Sequence, residues 1–509
     1  MLVAIRVDAS SIIGTGHVMR CLTLAIKLRD RGVDVYFICR DLKGHMGNIV
    51  KEHGFPLHLL SSDSKDIIEP PYSSSTRLPE YTSWLSVSIY RDTQQTQHVL
   101  KEFKPDWLIV DHYALDKLWQ LPLNQYFGQL FVIDDLANRA HNATILLDQT
   151  LDISMEAYNN LVPKSSNLLL GISFVLLREE FEQYREYSLR RRLNSHSKNL
   201  LIMMGGADND NYTGKVLDTL KDYKSITDFN ITLVLGASAV HCDKVTALIK
   251  ELHFPVKLLT NINNIAQLLA ETDIAIGAAG SSTWERCCLG VPTLQMILAD
   301  NQTLICERIN ELGAALTTSL PDLIKNITLL LNTQGKMSLI ASAIVSGAGT
   351  NLVVDQLLGL SKSSNAMCLS PALKNDGEFI YSLQTPESRK YSRTTTVPLF
   401  NEHVQWYKAL LTSANSVLFI IYFNGEKTGF LRLDTINQIN TEISIVVSNG
   451  YQGKGLASFA INSAKKLLPG RKLKATVHKD NVSSNTLFER LAFKLINTED
   501  YFNQYIYSA

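Results

Sequence analysis

The chain lacks the marks of several protein classes. Its 509 residues include only seven cysteines, an odd number with no C-x-x-C pair, and only Cys287 and Cys288 adjoin. That usage speaks against a disulfide scaffold or a zinc site and fits reduced thiols in a cytoplasmic protein. Neither charge is in excess, with 49 Lys and Arg against 49 Asp and Glu. A broad basic field for nucleic acid or an anionic membrane is therefore missing, and neither partner is expected. A local anion pocket is still open to such a chain, because backbone amides make one without net charge. Long hydrophobic runs are also lacking. The longest, "VLFIIYF" at 417–423, is far too short to span a bilayer. The opening "MLVAIRVDAS" is broken by Arg6 and Asp8 and does not read as a signal peptide.

Apolar residues make up 45% of the chain, enough for real cores, and the length implies two or three domains. "LVAIRV" (2–7) reads as a strand. "HVMRCLTLAIKLRDRG" then has helical spacing through Met19, Leu22, Ala25, Ile26 and Leu28, and "VDVYFIC" (33–39) is the next strand. "WLIVD" (107–111), "LFVIDD" (130–135) and "ILLD" (145–148) read as further buried strands. Continuous apolar strands between helices predict a parallel, doubly wound sheet. A second such set runs from "NLLIMMGGADNDN" (199–211) through "ITLVLG" (231–236) and "TDIAIGAAGSSTWERCCLG" (272–290) to "PTLQMI" (292–297). Two Rossmann-like lobes are thus expected, at 1–165 and 166–358, with ligands beyond the carboxyl ends of their strands. A Ser-, Asn- and Pro-rich stretch marks a linker at 359–375. Closely spaced strands at 416–423, 427–433 and 441–447 then predict an α+β domain over 376–509.

In that last domain Gln452, Gly453, Lys454, Gly455, Leu456 and Ala457 form Q-x-x-G-x-A, directly after a strand and at a helix start. Glycines let the backbone come close, and the free amides of a first turn bind a pyrophosphate. "KLKATVHKDNVSSNTLFERLAF" (472–493) adds a strand and a helix beginning near Asn481. The combination resembles the GNAT acyltransferases over residues 375 to 509. The resemblance implies acetyl-CoA as co-substrate, held by the loop residues together with Val447 and Asn481. The family often has a tyrosine on the last helix that protonates the departing thiolate; here Phe488 stands there, and Ala492 replaces a common glycine. His403 and Trp406 are similar to the acceptor side of nucleotide-sugar N-acetyltransferases, with packing on an amphipathic helix as the alternative.

The first 360 residues carry "RVDASSIIGTGHVMRCLTLA" (6–25), "VDHYALD" (110–116), "VIDDLANRAH" (132–141), "LLDQT" (146–150), "MGGAD" (204–208), "GAAGSSTWERCCLGVPTL" (277–294) and "ADNQ" (299–302). In that order they resemble the UDP-sugar hydrolase of pseudaminic acid biosynthesis, a pathway feeding flagellin glycosylation. The resemblance implies a glycosyltransferase-B-type fold and removal of UDP from UDP-2,4-diacetamido-2,4,6-trideoxy-β-L-altrose. The GNAT part then looks like the N-acetyltransferase that acts one step earlier. A glycosyltransferase carrying a non-catalytic acetyl-CoA-binding module is the alternative.

The hydrolase resemblance gives roles to particular residues. His17, at the first turn of a helix, becomes the base for the attacking water, since the dipole there disfavours imidazolium. Gly14 and Gly16 let the turn close beneath the sugar. Asp8 is expected to orient His17 or a sugar hydroxyl, and Arg20 to face a phosphate or solvent. Asp111 and Tyr113 are expected to line the acceptor cleft. Ser281, Ser282 and Thr283 suit a diphosphate at a helix start. Glu285 suits the ribose hydroxyls or the helix dipole. Asn301 and Gln302 are placed toward sugar or phosphates, and Asn264 and Ile265 toward uracil. "DND" (208–210) has metal-ligand spacing, but Asp and Asn at a helix start are ordinary caps, and no metal is expected.

Overall fold

The computed structural model describes residues 1–62, 81–192, 198–206, 208–236, 239–360 and 367–508. It divides into two compact units, Met1–Glu179 with Gly347–Lys362, and Glu180–Ser346 with Ser363–Ala509.

The first unit is built on β1 (Leu2–Val7), β2 (Asp34–Arg40), β3 (Leu57–Leu60), β4 (Trp107–Asp111), β5 (Gln129–Ile133), β6 (Ile145–Asp148) and β7 (Asn167–Leu170). They form one parallel sheet in the order β3-β2-β1-β4-β5-β6-β7. All five residues of β4 are buried, as expected of a strand covered on both faces. Helix α1 (Gly16–Asp30) buries Val18, Cys21, Leu22, Ala25 and Leu28, the stripe its 3.6-residue period dictates. Chain order reverses between β1 and β4, and the crevice outside their carboxyl ends is the switch point where such sheets bind ligands. Behind it lies a fully buried charge cluster. Arg6 grips Asp8 at 2.5 Å and Asp92 at 2.6 Å, and Arg40 holds Asp92 at 2.5 Å.

The second lobe uses β8 (Asn199–Met203), β9 (Asn230–Leu235), β10 (Val256–Thr260), α2 (Ile265–Glu271), β11 (Ile274–Ala278), α3 (Ser282–Cys288), β12 (Thr293–Met296), β13 (Leu316–Thr317) and α4 (Leu323–Ile344). Its sheet is parallel, ordered β10-β9-β8-β11-β12-β13. The stretch Leu323–Leu357 is long and apolar enough in composition to cross a membrane, which counting unbroken runs overlooked; 67% of its most apolar window is buried in the protein. The first sheet runs past the expected boundary at 165, because the four-residue β7 gives little sequence signal. The helix α5 (Gly349–Leu357) also returns Val353, Val354 and Leu357 to the first core.

The C-terminal body contains β14 (Met367–Pro371), α6 (Phe400–Thr412), β15 (Ser416–Phe423), β16 (Glu426–Thr435), β17 (Asn440–Val447), α7 (Leu456–Leu467), β18 (Lys472–His478), α8 (Val482–Arg490), β19 (Lys494–Glu499) and β20 (Phe502–Tyr507). β14 pairs with β15, so the later half of the expected 359–375 linker is a sheet strand; 361–366 lie outside the described residues. The sheet order is β14-β15-β16-β17-β18-β20-β19, antiparallel except for β17 beside β18. That parallel pair is joined only from Asn440–Lys472 to Glu442–Lys474; beyond it the two strands part into a wedge. The Lys336 ammonium of α4 donates to the Leu411 and Ser413 carbonyls at 2.7 and 2.8 Å, tying the second lobe to the end of α6.

Candidate active sites

The first lobe gathers its chemistry at the switch point. Gly14 adopts φ +81°, the left-handed region open to glycine, and its N–H closes a turn onto the Ser10 carbonyl at 2.9 Å. Gly16 shows no such need: its φ is ordinary and a Cβ there would meet open space. The turn delivers His17 and Arg20, one helical turn apart on α1, to the end of β4. His17 Nδ1 lies 2.7 Å from Asp111 Oδ1. Arg20 takes the same carboxylate in a fork, Nε to Oδ2 at 2.6 Å and Nη2 to Oδ1 at 2.7 Å. Its Nη1 reaches Asp135 at 2.6 Å, and Tyr113 donates its hydroxyl to Asp135 at 3.0 Å.

Asp111 is fully buried. Burial alone would raise its carboxyl, but the Arg20 guanidinium and then His17 outweigh this and hold it well below the usual carboxylate range. An ionised carboxylate has no proton to give, so at 2.7 Å the proton must sit on His17 Nδ1. Nε2 has no hydrogen-bond partner among the described residues, and the side chain is 11% exposed. Two aromatic rings meet the imidazole edge-on, Tyr113 at 4.7 Å and Trp84 at 6.1 Å between ring centres, and Tyr81 packs on both of them.

Two expectations change here. Asp8 does not orient His17: it is buried against Arg6, the Arg40 N–H at 2.7 Å and His112 at 3.3 Å, and Asp111 takes the orienting place. Arg20 turns its guanidinium to two carboxylates, Asp111 and Asp135, rather than standing open, and its side chain is 18% exposed. Asp135, Trp84 and Tyr81 were not foreseen. Asp135 had a signal, since it follows the carboxyl end of a buried parallel strand.

In the second lobe the expected residues cluster at the carboxyl ends of β10, β11 and β12. Ser281 precedes α3 with its hydroxyl making no cap bond. Ser282 and Thr283 accept from the buried Arg286, at 2.8 and 3.1 Å, and Arg286 also donates to the Ala278 carbonyl at 2.8 Å. Arg286, whose pKa burial lowers, was not foreseen as the brace of this turn. Glu285 is half-buried in the first turn of α3. Gln302 sits over the same loop, its Nε2 3.8 Å from where a Gly280 Cβ would be, and its Oε1 accepts the Leu298 N–H. Asn301 lies in the turn Asp300–Gln302. Ile265 is buried at the start of α2, and Asn264 is exposed beside it. Asp208 caps a helix start, accepting the Tyr212 and Thr213 N–H groups at 2.8 and 2.9 Å. Among the described residues no three His, Cys, Asp or Glu side chains are grouped to hold a metal.

In the C-terminal body Val447 ends β17 and Gln452–Ala457 turn the chain into α7. Gly453 and Gly455 take φ +77° and +84°, a backbone that other residues rarely adopt. Lys454 lies over the Tyr451 and Phe423 rings at 4.6 and 5.4 Å. Asn481 caps α8 by accepting the Ser484 N–H at 3.2 Å. A cavity of about 680 Å³ fills the wedge, and His403, Trp406, Asn481 and Phe488 all border it. His403 is buried with Nε2 donating to the Gly377 carbonyl at 2.9 Å, so it both packs and lines. Phe488 packs on Phe493 and Tyr505. The Tyr505 hydroxyl is committed to Asn485 and Glu489, at 3.0 and 3.1 Å.

Residues 378–493 match the acetyltransferase (GNAT) family. The C-terminal body is a GNAT domain. An uncharacterized protein of Methanocaldococcus jannaschii is 25% identical over 517 residues, spanning 97% of this chain and 97% of its own. The UDP-2,4-diacetamido-2,4,6-trideoxy-beta-L-altropyranose hydrolase of Campylobacter jejuni is 27% identical over 281 residues, 55% of this chain and 86% of that enzyme. The spore coat polysaccharide biosynthesis protein SpsG of Bacillus subtilis is 29% identical over 188 residues, 37% of this chain and 53% of its own. The two resemblances read from the sequence, a sugar-nucleotide hydrolase joined to a GNAT domain, are thereby borne out.

Proposed function

We propose that the chain is a bifunctional cytoplasmic enzyme of pseudaminic acid biosynthesis. The two lobes hydrolyse UDP-2,4-diacetamido-2,4,6-trideoxy-β-L-altropyranose to UDP and the free sugar. The GNAT domain acetylates the preceding 4-amino UDP-sugar from acetyl-CoA. The observation that supports the first activity is the His17–Asp111 pair at the switch point, whose contact is made by Nδ1 and not by Nε2.

His17 Nε2 accepts a proton from water as the water oxygen bonds to the anomeric carbon and the bond to the diphosphate oxygen breaks. Asp111 holds the ring in the required tautomer and balances the imidazolium that forms. Arg20 fixes Asp111 and Asp135 so that this geometry costs no reorganisation during the reaction. Ser281, Ser282, Thr283 and Gln302 receive the diphosphate, Glu285 the ribose, and Asn264 with Ile265 the uracil. This assignment gives no metal a role, because helix N-termini supply the positive end that the leaving diphosphate needs.

For the second activity, the Gly453–Ala457 amides hold the pyrophosphate of acetyl-CoA, with Val447 and Asn481 beside its pantetheine arm. The amine nitrogen bonds to the thioester carbonyl carbon, the carbon–sulfur bond breaks to release the thiolate of CoA, and the proton lost by nitrogen passes to water or to that thiolate. Phe488 supports a second reading, an acetyl-CoA-binding module without turnover, because its ring has no proton to give. The deciding experiment is mass spectrometry of products from UDP-4-amino-4,6-dideoxy-β-L-AltNAc plus acetyl-CoA. Free diacetamido sugar, UDP and CoA are expected, and His17→Ala should stop at the acetylated UDP-sugar. Release of UDP only when a sugar acceptor is added would instead make the lobes a glycosyltransferase.

A further inference from the structure

We propose that a small oxyanion, a phosphate or carboxylate group, binds in a cleft between the second lobe and the GNAT domain, with Lys336 and Arg471 as its cations. Both bodies belong to one compact unit, and the cleft between them measures about 450 Å³. It lies apart from both candidate sites. None of Ser281–Glu285, Gln302, Gly453–Ala457 or the residues of the wedge borders it. The inference therefore stands without either proposed reaction.

Among the described residues, Arg192, Lys198, Lys336 and Arg471 border the cleft against a single acid, Asp273. Asp273 is engaged, by Arg191 at 2.8 Å and by the Asn199 N–H at 2.8 Å. Lys198 is paired with Asp228 at 3.0 Å. Arg192 has no spare donor, because Nε, Nη1 and Nη2 all go to carbonyls or to the Ser188 hydroxyl. Lys336 and Arg471 differ. The ammonium of Lys336 has three protons and gives two, to the Leu411 and Ser413 carbonyls. Arg471 uses only Nη1, on the Thr435 and Thr441 hydroxyls and the Asn437 carbonyl at 3.3, 3.1 and 3.4 Å. Its Nε is buried without a partner. The Nε–Nη2 edge, with which Arg20 grips Asp111, is thus unused here among the described residues. Neither Lys336 nor Arg471 has a carboxylate to offset its burial, which lowers both pKa values.

Helix α4 also leaves room beside these cations. Gly335 borders the cleft in the interior of this 22-residue helix, where glycine weakens a helix relative to alanine. A Cβ there would meet nothing within 4 Å, so packing does not require the glycine. Its bare backbone widens the cleft next to Lys336. Cations of one sign around a recessed space concentrate anions. A charge-assisted bond from each of the two gives an oxyanion a two-point grip. Lys336 belongs to the lobe and Arg471 to the turn that enters β18, so the bound anion would clamp one body to the other.

The test is thermal unfolding of the full chain against inorganic phosphate at constant ionic strength. UDP and CoA are kept saturating, so that the two proposed nucleotide positions are filled. Tm should rise with phosphate as linkage requires, and calorimetry should count one phosphate per chain. Arg471→Gln and Lys336→Gln should each weaken that binding roughly tenfold to a hundredfold. A merely structural role would lower Tm at every concentration and leave its phosphate dependence intact, and that result would overturn the site. Gly335→Glu sets a carboxylate in the cleft, and Gly335→Lys adds a comparable helix former of opposite charge. In phosphate-free buffer Gly335→Glu should be the more stable of the two, and it should lose the response to phosphate. Equal stability of the two variants would overturn the proposal. Succinate replaces phosphate in a second arm. A response of the wild type to either upholds the site, and the stronger response identifies the bound group as phosphate or carboxylate. A Tm that moves with neither would overturn it.

Discussion

Replacing Asp111 by Asn removes one charge at the centre of the first-lobe site while keeping its shape. The carboxylate accepts His17 Nδ1 at 2.7 Å and both arms of the Arg20 fork. An amide has one oxygen and one NH₂ group. If the oxygen serves Arg20, the NH₂ faces His17, and Nδ1 must become the acceptor. The proton then moves to Nε2, which can no longer take one from water. If the oxygen serves His17, the NH₂ meets the guanidinium and the fork breaks. Either way the base is lost or displaced. General-base catalysis is worth about 10²–10⁴ in rate, and Asp111→Asn should lower the turnover of UDP release within that range. UDP affinity should not change, because no expected nucleotide contact touches Asp111.

The same substitution has a modest stability cost. Breaking a fully buried ion pair costs about 3–5 kcal/mol. Arg20 is 18% exposed and keeps Asp135 at 2.6 Å, so the loss should lie nearer 1–3 kcal/mol. Asp111 is depressed below its unfolded value, so its stabilisation is present at neutral pH and is lost only as pH falls below the ordinary carboxylate range. The rate defect at neutral pH is therefore not masked by titration of Asp111 in the wild type. The assay is UDP release from the diacetamido UDP-sugar for Asp111→Asn, His17→Ala and the double variant. Groups that act as one unit are not additive, so the double variant should be no slower than His17→Ala. Near-normal turnover of Asp111→Asn, or multiplicative losses in the double variant, would refute the dyad.

Glu285→Ala should weaken UDP binding in the lobes by about 1.5–3 kcal/mol, read by calorimetry; unchanged affinity would return Glu285 to a helix-dipole role. UDP release should persist in EDTA, and an absolute Mg²⁺ or Mn²⁺ requirement restored after chelation would revive Asp208 and Asp210 as ligands. Gly455→Glu should abolish acetyl-CoA binding, since it forces a side chain onto a φ of +84° and sets negative charge against the pyrophosphate; retained affinity would displace the loop from that role. Phe488→Tyr should raise the rate of thiol release or leave it unchanged. A free thiol pKa near ~8.5 lets the thiolate leave without obligatory protonation, so activity created from nothing would show that the native domain only binds.

The strands that were legible are mostly unbroken apolar runs, and "WLIVD" and "ILLD" coincide with β4 and β6, whereas short strands such as β3, β7 and β13 were not. What escaped was whatever depends on partners distant in the chain. Asp8 and Asp111 both stand at carboxyl ends of strands, and sequence position cannot say which faces His17. The answer is set by the buried Arg6 guanidinium and the Arg40 backbone N–H, which hold Asp8 in the sheet interior. Burial of those two arginines demands two carboxylates in return, Asp8 and Asp92, because an unpaired charge there would cost several kcal/mol. Asp111 is left to face the crevice, and it needs a cation of its own, which is Arg20. Arg20, expected to face a phosphate or solvent, lies one turn from His17 on α1 and is drawn to the carboxylate that His17 also contacts. The contacts thus run in order from the imidazole of His17, the proposed base, to Asp111, to the Arg20 guanidinium and to the second carboxylate, Asp135. Asp135 is the last member of that chain and, at 21%, its most exposed, and in that order it touches neither His17 nor Asp111.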